Sequence, residues 1–478
     1  MTGRAEAASD TAPGLRERWL AAIEVHRADL DGPGNGRFWS PSLEACDCER
    51  LREIQSAKLP LAVAYMAAHA PMYARLLARS GIEVGDVRSI DDLVRLPPVT
   101  KEQMSRSVEE RSPWGEFTAI DDARWRSDGW QVFNTSGTTA APRPFRYTQT
   151  DRRLWAWADA RAAHAMGIRA GRDVAMMLFG YGPHVAMWGL HHALLLMGVP
   201  QLAVGGLDTR TRGATIARMA PTVLGCTPSY ALHLGSTMTQ AGIDPAGTAV
   251  RIIVAMGEPV PAATAARIAA MWGAQVHQFY GCTEAAPSCG GYTCVAGSLH
   301  FLEDTHVLET LDPVTLEPVP DGAPGVSVVT NLISEASPQI RFVVGDYTTL
   351  RRDGCDCGRS HVIADGGFAG RADEMLNVRG VTLFPSAVED MLRSLPQCGE
   401  EFEIVLETRA GLDELTLVVE GRDGDADLDG LRERVHHEFR SRFELRPQVV
   451  AQRRGTLPPT EFKARRVSDR RIHSRQGR

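Results

Sequence analysis

Three short and almost wholly apolar segments in the middle of the chain constrain its fold more than any other feature. They read "VAMMLFG", "TVLGCTP" and "RIIVAMG", and helix-like segments such as "PAATAARIAAMWG" separate them. Short apolar runs that alternate with helices are typical of buried strands in an α/β sheet. We therefore predict an α/β fold whose sites lie at the strand ends.

The length and a change of pattern along the chain predict two domains. At 478 residues the chain exceeds what one hydrophobic core usually serves. Residues 1–370 are predicted to form a large domain with a mostly helical lead-in over residues 1–125, where one helix is expected to be interrupted at Pro60. Alternating strands and an amphipathic helix predict a small α+β domain over residues 374–478, with a hinge near residues 371–373.

Composition and charge exclude several classes of protein. A formal net charge of -7 lacks the basic footprint of a nucleic-acid-binding protein. No apolar run approaches the roughly 20 residues that span a bilayer, and the N-terminus lacks the apolar core of a signal peptide. We therefore expect a cytoplasmic protein that binds neither nucleic acid nor membrane. Nine cysteines without a secretory signal favour reduced thiols or a metal site over disulfides.

A hydroxyl-rich run, "TSGTT" at residues 135–139, follows the apolar segment "WQVF". Its hydroxyls and backbone N–H groups could wrap phosphate oxygens, since Gly137 permits a close approach of the backbone. It is not a Walker loop, because the GK[ST] ending is missing. Taken alone, the run fits an ordinary polar turn equally well.

A second motif, "HQFYGCTEAAP", favours the phosphate interpretation. It places Tyr280, Gly281, Thr283 and Glu284 at the end of a predicted strand. An aromatic ring, a glycine, a hydroxyl and a carboxylate are the groups that stack a purine, contact a phosphate and hold Mg²⁺.

Three further motifs are weak when each is taken alone. Asp346 follows a glycine in "RFVVGDYTTL", where its carboxylate could accept hydrogen bonds from ribose hydroxyls. "GRADEMLNVRG" places Arg371 and Asp373 at the predicted hinge, and "GTLPPTEFKARRV" isolates Lys463 near the C-terminus. A solvated side chain is the default interpretation of each.

The order of these five motifs resembles that of the adenylate-forming superfamily of acyl-CoA synthetases, adenylation domains and luciferases. Within it the chain is most similar to the phenylacetate-CoA ligase family, and the similarity covers nearly the full length. Segments such as "LPPVTKEQM", "FGYG", "GEPVP" and "GRADEMLNVRGVTLFPSAVED" carry the likeness. The resemblance implies a large N-terminal adenylate-forming domain of packed sheets and helices, and a small, mobile C-terminal α+β domain.

The resemblance also implies roles for individual residues. Thr283 would contact the α-phosphate, Glu284 would hold Mg²⁺, and Lys463 would contact both the carboxylate and the α-phosphate as a catalytic residue. Asp373 would be the hinge residue. ATP or AMP would be contacted by Thr135, Ser136, Gly137, Thr138, Thr139, Arg143, Glu258, Pro259, Tyr280, Gly281, Asp346 and Arg371.

The chemistry implied by the resemblance has two steps. ATP would activate an aromatic carboxylic acid as an acyl adenylate with release of pyrophosphate, and the acyl group would then pass to coenzyme A. Because the first step brings two anions together, Mg²⁺ and a lysine are needed to offset their repulsion. Rotation of the small domain about Asp373 would then withdraw Lys463 and present a face near Gly380.

The hydroxyl-rich run departs from the family at its end. The family continues with Gly, Lys and Pro, whereas this chain has Ala140, Ala141 and Pro142, with Arg143 beyond. A guanidinium reaches further than an ammonium and can grip phosphate with two donors. We predict that Arg143 replaces the missing lysine.

Five residues in two segments could supply a zinc site. A tetrahedral zinc ion needs four ligands, and Cys-x-Cys spacing can place two thiolates on one ion. Relatives with a similar arrangement imply a structural site of Cys294, His300, Cys355 and Cys357, with Cys289 free or in place of Cys294. Ordinary buried cysteines are the alternative.

By the same resemblance, the acid lies beside "FGYGPHVAMWGLHH". Tyr181, His184, Trp188 and His191 would line its pocket, together with Gly257. Flat apolar surface with polar groups suits an aromatic acid that bears hydroxyl or amino substituents. A buried amphipathic helix with core Trp188 and structural histidines is the alternative.

Other functions remain open at this point. A carrier-protein thiol, an amine, or nitrite in a diazotisation-type reaction could replace coenzyme A as the acceptor in specialised metabolism. A catalytically inactive nucleotide-binding relative is an alternative of a different class. The family likeness is also compatible with a homodimer.

Overall fold

The computed structural model describes most of the chain. The described residues are 14–25, 36–135, 142–180, 182, 185–285, 290–409, 412–422, 427–460 and 466–471. None of the helices in these residues combines the length and the apolar composition of a membrane span.

Thirteen α-helices lie in the described residues. In chain order they are α1 (Leu15–Glu24), α2 (Pro41–Glu44), α3 (Cys48–His69), α4 (Pro71–Arg79), α5 (Lys101–Glu110), α6 (Asp122–Asp128), α7 (Gln149–Ala165), α8 (Ala186–Met197), α9 (Thr209–Met219), α10 (Pro228–Gln240), α11 (Ala262–Trp272), α12 (Pro385–Ser394) and α13 (Leu428–Phe443).

Nineteen β-strands accompany them in the same residues. They are β1 (Gly129–Asn134), β2 (Pro144–Thr148), β3 (Ala175–Met177), β4 (Gln201–Leu202), β5 (Val223–Cys226), β6 (Ile252–Ala255), β7 (Gln275–Tyr280), β8 (Gly291–Thr293), β9 (Leu299–Phe301), β10 (His306–Leu311), β11 (Pro324–Asn331), β12 (Phe342–Arg351), β13 (Ile363–Arg371), β14 (Leu376–Val378), β15 (Val381–Leu383), β16 (Cys398–Arg409), β17 (Leu412–Gly421), β18 (Gln448–Gln452) and β19 (Val467–Asp469).

An eleven-stranded mixed sheet dominates the structure, in the order β10-β11-β12-β13-β9-β8-β7-β6-β5-β3-β4. Neighbouring strands are parallel in the part β7-β6-β5-β3-β4 and antiparallel in the part β10-β11-β12-β13-β9-β8-β7. All residues of β5 and β6 are buried. Helices α10 and α11 follow these parallel strands along the chain, and such crossover helices cover the faces of a parallel sheet. The predicted α/β fold class is confirmed.

One detail of the helical lead-in differs from the expectation. Helix α3 runs from Cys48 through Pro60 to His69, so the predicted interruption at Pro60 is wrong. Proline removes one hydrogen bond of the helix and disfavours its interior. Here the flanking Leu59 and Val63 are both fully buried, and this packing maintains the helix across the proline.

A second, four-stranded sheet lies toward the C-terminus in the order β18-β17-β16-β19. It has its own hydrophobic core, in which Phe402 and Leu417 of the sheet pack with Val435 and Phe439 of α13. We call this unit, with α12 and α13, the small domain. The small domain contacts α11, which lies between β6 and β7 of the large sheet in the chain. The backbone N–H of Ala263 in α11 donates to Asp390 of α12 at 2.8 Å.

Candidate functional site

The candidate site is formed where the ends of β7 and β13 meet the middle of β12, near the β1–β2 hairpin. Ser136, Gly137, Thr138 and Thr139 lie outside the described residues. Thr135 and Arg143, which lie on either side of the undescribed residues 136–141, are fixed against each other. The Thr135 N–H donates to the Arg143 carbonyl at 3.1 Å, and the Arg143 N–H donates to Thr135 Oγ1 at 3.0 Å.

Arg143 and Glu284 form a buried ion pair at the base of this loop. Arg143 Nη2 donates to Glu284 Oε1 at 2.6 Å, and Nη1 donates to Ser105 Oγ at 3.1 Å. Their side chains are only 10% and 7% exposed. Nearby, the Tyr147 hydroxyl donates to the Thr283 carbonyl, which joins β2 to the segment after β7.

Tyr280, Asp346, Arg371 and Asp373 form a continuous set of polar contacts. The Tyr280 hydroxyl, at the end of β7, donates to Asp346 Oδ2. Asp346 faces Arg371 across the β12–β13 ladder, and Arg371 Nη1 lies 3.8 Å from Asp346 Oδ1. Arg371 Nε and Nη2 also donate to the two carboxylate oxygens of Asp373 at 2.8 and 2.7 Å.

The surroundings shift the pKa values of Asp346 and Asp373 in opposite directions. Burial raises the pKa of Asp346 above its ordinary value, although Arg371 and the Tyr280 hydroxyl act against it. Burial alone would also raise the pKa of Asp373. The hydrogen bonds and charge of Arg371 outweigh that effect and hold the pKa of Asp373 below its usual range.

Two residues that the sequence did not single out belong to this neighbourhood. The Phe368 ring of β13 stacks on Tyr280 with centroids 3.9 Å apart and planes inclined by 15°, so that face of Tyr280 is covered. Lys101, at the start of α5, acts electrostatically on both Asp346 and Asp373. In the sequence, these two residues are marked only by the aromatic residue in "GGFAG" and the lysine in "LPPVTKEQM".

The remaining predicted nucleotide residues lie at the ends of β6 and β7. Glu258 follows β6, and its carboxylate accepts from Ser229 Oγ at 2.9 and 2.7 Å and from the Ser229 N–H at 3.2 Å. Gly257 and Pro259 flank it, and Gly257 is exposed with a φ of 83°. Gly281 is also exposed, directly after β7.

The predicted acid pocket is described only in part, because Tyr181 and His184 lie outside the described residues. Trp188 lies in the first turn of α8, and its indole N–H donates to the Gly182 carbonyl at 3.3 Å. His191 Nδ1 lies 2.9 Å from the amide oxygen of Gln201, and this contact fixes the orientation of the ring.

An aromatic cluster surrounds Trp188. The rings of Trp130 and Phe133, both in β1, lie 6.4 and 6.2 Å from it. His192 packs edge-on to Trp130 at 5.0 Å. Burial, followed by the nearby His191 and Arg152, lowers the pKa of His192 to about 4, so its imidazole is neutral at neutral pH.

The four predicted zinc ligands are brought together. The ligand atoms of Cys294, His300, Cys355 and Cys357 all lie within 4.8 Å of one another. The Cys294 and Cys355 sulfurs are 3.8 Å apart, and Cys357 Sγ is 3.3 Å from His300 Nε2. A tetrahedral Zn²⁺ with bonds of about 2.3 Å to sulfur spaces its ligands by about 3.8 Å, so this donor set fits the ion.

The orientation of His300 also suits a ligand role. Its Nδ1 lies 3.0 Å from the His361 carbonyl, which leaves Nε2 directed at the cysteines. Cys289, the alternative ligand, and Lys463, the predicted catalytic lysine, both lie outside the described residues.

Comparison with known proteins finds relatives over nearly the whole chain. The family model for AMP-binding enzymes matches residues 64–331, and the model for the AMP-binding enzyme C-terminal domain matches residues 380–471. A phenylacetate-coenzyme A ligase of Thermus thermophilus is 33% identical over 456 residues, which cover 90% of this chain and 99% of that protein.

Solved structures of a 2-hydroxyisobutyryl-CoA ligase are similar in two states. The postadenylation state with 2-HIB-AMP has a TM-score of 0.87 at 27% identity, over 95% of this chain and 96% of that one. The thioesterification state with 2-HIB-AMP and CoA has a TM-score of 0.69 at 27% identity, over 92% and 94%. The structure is thus more similar to the postadenylation state of that ligase than to its thioesterification state.

Proposed function

This chain belongs to the AMP-binding enzyme family, and we propose that it joins an aromatic carboxylic acid to coenzyme A through an acyl adenylate. In the first step, a carboxylate oxygen attacks the α-phosphorus of ATP, and pyrophosphate leaves. In the second, the coenzyme A thiolate attacks the acyl carbon, and AMP leaves. The phenylacetate-coenzyme A ligase and 2-hydroxyisobutyryl-CoA ligase relatives support this reaction class.

The observation that carries the proposal is the convergence of separate motifs at one end of the large sheet. Tyr280 and Arg371 stand at the ends of two strands, and Asp346, in the middle of a third, contacts both of them. The Arg143–Glu284 pair lies beside the described end of the hydroxyl-rich loop. In an α/β sheet, ligands bind at such strand ends.

The nucleotide would be held by these groups. We assign the ribose hydroxyls to Asp346, since a buried carboxylate is a strong acceptor of hydrogen bonds. Because Phe368 covers one face of Tyr280, adenine would stack on the other face or displace Phe368. Glu258 and Pro259 would border the adenine, and the loop at residues 135–139 would contact the phosphates.

Glu284 would hold the magnesium ion of the ATP complex. Its Oε1 accepts from Arg143, and within the described residues its Oε2 has no hydrogen-bond partner, so one oxygen remains for a cation. Magnesium commonly joins one carboxylate to substrate phosphates and, when bound, offsets the charge that develops on pyrophosphate. Arg143 would fix the Glu284 carboxylate and could turn one donor toward a phosphate oxygen.

The aromatic nature of the acid is inferred from the cluster around Trp188. Trp130, Phe133 and Trp188 present flat rings beside α8, and His192 adds a neutral imidazole. Flat apolar walls with few polar groups favour an aryl acid over a short aliphatic one. Tyr181, His184 and Gly257 would complete the pocket.

The zinc site would be structural. Four protein ligands leave no open coordination position for catalysis. The site would join the strand pair β8–β9, which carries Cys294 near His300, to the turn after β12 that carries Cys355 and Cys357.

The proposal is tested by incubating the protein with ATP, Mg²⁺, coenzyme A and single acids from a panel of benzoates, arylacetates and short aliphatic acids. The expected products are AMP and an aryl-CoA thioester identified by mass. Parallel reactions with an amine or with nitrite in place of coenzyme A identify a different acceptor. Formation of thioesters only from the aliphatic acids would contradict the aromatic assignment.

A further inference from the structure

The segment before α5 is joined to the start of β12, the strand that carries Asp346. The N–H of Val99 donates to the Arg341 carbonyl at 2.9 Å, and the N–H of Val343 donates to the Val99 carbonyl at 2.8 Å. Val99 is only 1% exposed, so this short parallel bridge is part of the core. Because the bridge fixes the entry to α5, the first turn of this helix is held beside β12.

The first residue of α5 is Lys101, whose backbone is held by a capping box. The Thr100 N–H donates to Gln103 Oε1 at 2.8 Å, and the Gln103 N–H donates to Thr100 Oγ1 at 3.4 Å. The Lys101 ammonium lies against β12, because a Cβ placed on Gly345 would be 3.8 Å from Lys101 Nζ. Gly345 immediately precedes Asp346, so the ammonium lies near the carboxylate that we assign to the ribose. Burial raises the pKa of Asp346, and the charge of Lys101 is among those that oppose this rise.

The same face of α5 reaches the other part of the candidate site one turn later. Ser105 follows Lys101 by four residues, and side chains at this spacing lie on one face of a helix. Ser105 Oγ accepts from Arg143 Nη1 at 3.1 Å, and Arg143 in turn pairs with Glu284. One face of α5 therefore runs from the neighbourhood of Asp346 to the ion pair at the base of the hydroxyl-rich loop.

Lys101 differs from the two arginines of the candidate site in having no partner of its own. Arg143 donates to Glu284, and Arg371 donates with two nitrogens to Asp373. Lys101 Nζ forms no hydrogen bond and no ion pair within the described part of the chain, and it is accessible to solvent. Its three N–H donors are therefore available to a ligand that enters the site.

We propose that Lys101 binds the β- or γ-phosphate of ATP and so supplies the cation that the hydroxyl-rich loop lacks. The loop has Ala140 and Ala141 where the family pattern has a glycine and a lysine. An ammonium beside the outer phosphates offsets their charge, which grows on pyrophosphate as it leaves. The proposal rests on the nucleotide site proposed above and adds to it a residue from a separate helix.

The outer phosphates are preferred to the α-phosphate because of the direction in which the triphosphate would run. From a ribose at Asp346 it would lead toward Glu284, which we assign to magnesium and which pairs with Arg143. Lys101 and Ser105 are about 6 Å apart along the axis of α5, since a helix rises by about 1.5 Å per residue. The flexible four-carbon stem of a lysine lets its ammonium follow a phosphate over that distance. Loss of Lys101 should therefore weaken the binding of ATP but hardly affect AMP, which has no outer phosphates.

The test is isothermal titration calorimetry of the full chain with ATP and, separately, with AMP, at fixed ionic strength and Mg²⁺ concentration and without an acid. The proteins are the wild type, Lys101→Met, Lys101→Arg and the control Arg106→Met. Lysine and methionine have similar helix propensities, so α5 should be retained in Lys101→Met. Arg106 is exposed on the same helix and forms no ion pair among the described residues, so its variant removes an equal charge from α5.

We expect Lys101→Met to raise the Kd for ATP about tenfold or more and the Kd for AMP less than about threefold, because a charge-assisted hydrogen bond to an outer phosphate is lost. The retained binding of AMP also shows that the variant is folded. Lys101→Arg should restore most of the affinity for ATP, and Arg106→Met should bind both nucleotides like the wild type. An equal loss for ATP and AMP, as expected if Lys101 only positions Asp346, would overturn the proposal. Unchanged binding of ATP in Lys101→Met, or an equal loss in Arg106→Met, would overturn it as well.

These outcomes are distinct from a failure of the proposed function. Binding is measured without turnover, so if the wild type binds ATP but activates no acid, the ligase reaction is refuted while the variants still decide the role of Lys101. A wild type that binds no ATP would overturn both proposals.

Discussion

Arg143 Nη2 lies 2.6 Å from Glu284 Oε1, in an ion pair that joins residues 141 positions apart in the sequence. Arg143 stands just beyond the point where the family pattern would have a lysine, and Glu284 is the carboxylate that we assign to magnesium. The guanidinium is therefore not simply a free replacement for the lysine, because one of its nitrogens already holds a carboxylate. A second nitrogen, Nη1, donates to Ser105, so we propose that Arg143 positions Glu284 and contacts phosphate only through its remaining Nη hydrogens.

Substitution of Arg143 should weaken the use of ATP more than the use of the acid. In Arg143→Ala, Glu284 loses its partner and the phosphates lose a donor, so we expect the KM for ATP to rise about tenfold or more. The measurement is a pair of titrations, of ATP and of the acid, by pyrophosphate release. Arg153→Ala, which removes a charge from the exposed face of α7, is the control. An unchanged ATP dependence would reject this role.

Asp346 is expected to contribute to ATP binding through its charge. Asp346→Asn keeps the shape and an acceptor for Tyr280 but removes the negative charge opposite Arg371. A hydrogen bond to a charged group contributes about 1.5–3 kcal/mol, so the Kd for ATP should rise roughly 10- to 100-fold. Calorimetry with ATP measures it.

The control for this change is Asp365→Asn in β13, the strand that pairs with β12. Asp365 is exposed and pairs with Arg351 at 3.1 Å, away from the polar contacts of Tyr280. If both variants bound ATP like the wild type, the ribose assignment of Asp346 would be wrong.

The cysteine–histidine cluster should contain one zinc ion per chain. Cys357→Ser should reduce zinc well below one equivalent and lower the Tm, because removal of a structural metal withdraws its binding free energy from folding. Elemental analysis of protein purified without added zinc, together with thermal unfolding, provides the measurement. Cys46→Ser, outside the cluster, should keep both values. A wild type without zinc would contradict the site.

Stability should fall in mild acid partly because of His192. Its pKa is about 4 in the folded chain, against an ordinary value of 6.5. Between these pH values the unfolded chain binds a proton at His192 that the folded chain excludes. The contribution of the neutral His192 to the free energy of unfolding is therefore complete above pH 6.5 and is lost as the pH falls toward 4. Urea unfolding from pH 7 to pH 4.5 should show a shallower decline for His192→Gln than for the wild type. The exposed His437→Gln should follow the wild type, and identical slopes for all three proteins would refute the cause.

Local patterns in the sequence were sufficient for the fold class, and together with the family resemblance they indicated the four cysteine and histidine residues that the fold brings together. The apolar runs that became β5 and β6 are buried throughout, and strands of this kind leave a clear signal. The spacing of Cys355 and Cys357 likewise pointed to one ligand pair, and the fold brings Cys294 and His300 to them.

What the sequence could not predict depends on contacts between distant segments. The stacking of Phe368 on Tyr280, the approach of Lys101 to Asp346 and the pairing of Arg143 with Glu284 each need the folded sheet. Pro60 shows the same limit, because burial of its neighbours overrides its local preference.

The central claim is most directly tested by the acid-dependent exchange of radiolabelled pyrophosphate into ATP. The exchange requires reversible formation of an acyl adenylate and is independent of the acceptor. We expect the wild type to catalyse exchange with aryl acids, and Lys463→Ala to reduce it by about a hundredfold or more while ATP still binds. Absence of exchange across the full acid panel, with ATP bound, would contradict the account and would favour a nucleotide-binding protein without this chemistry.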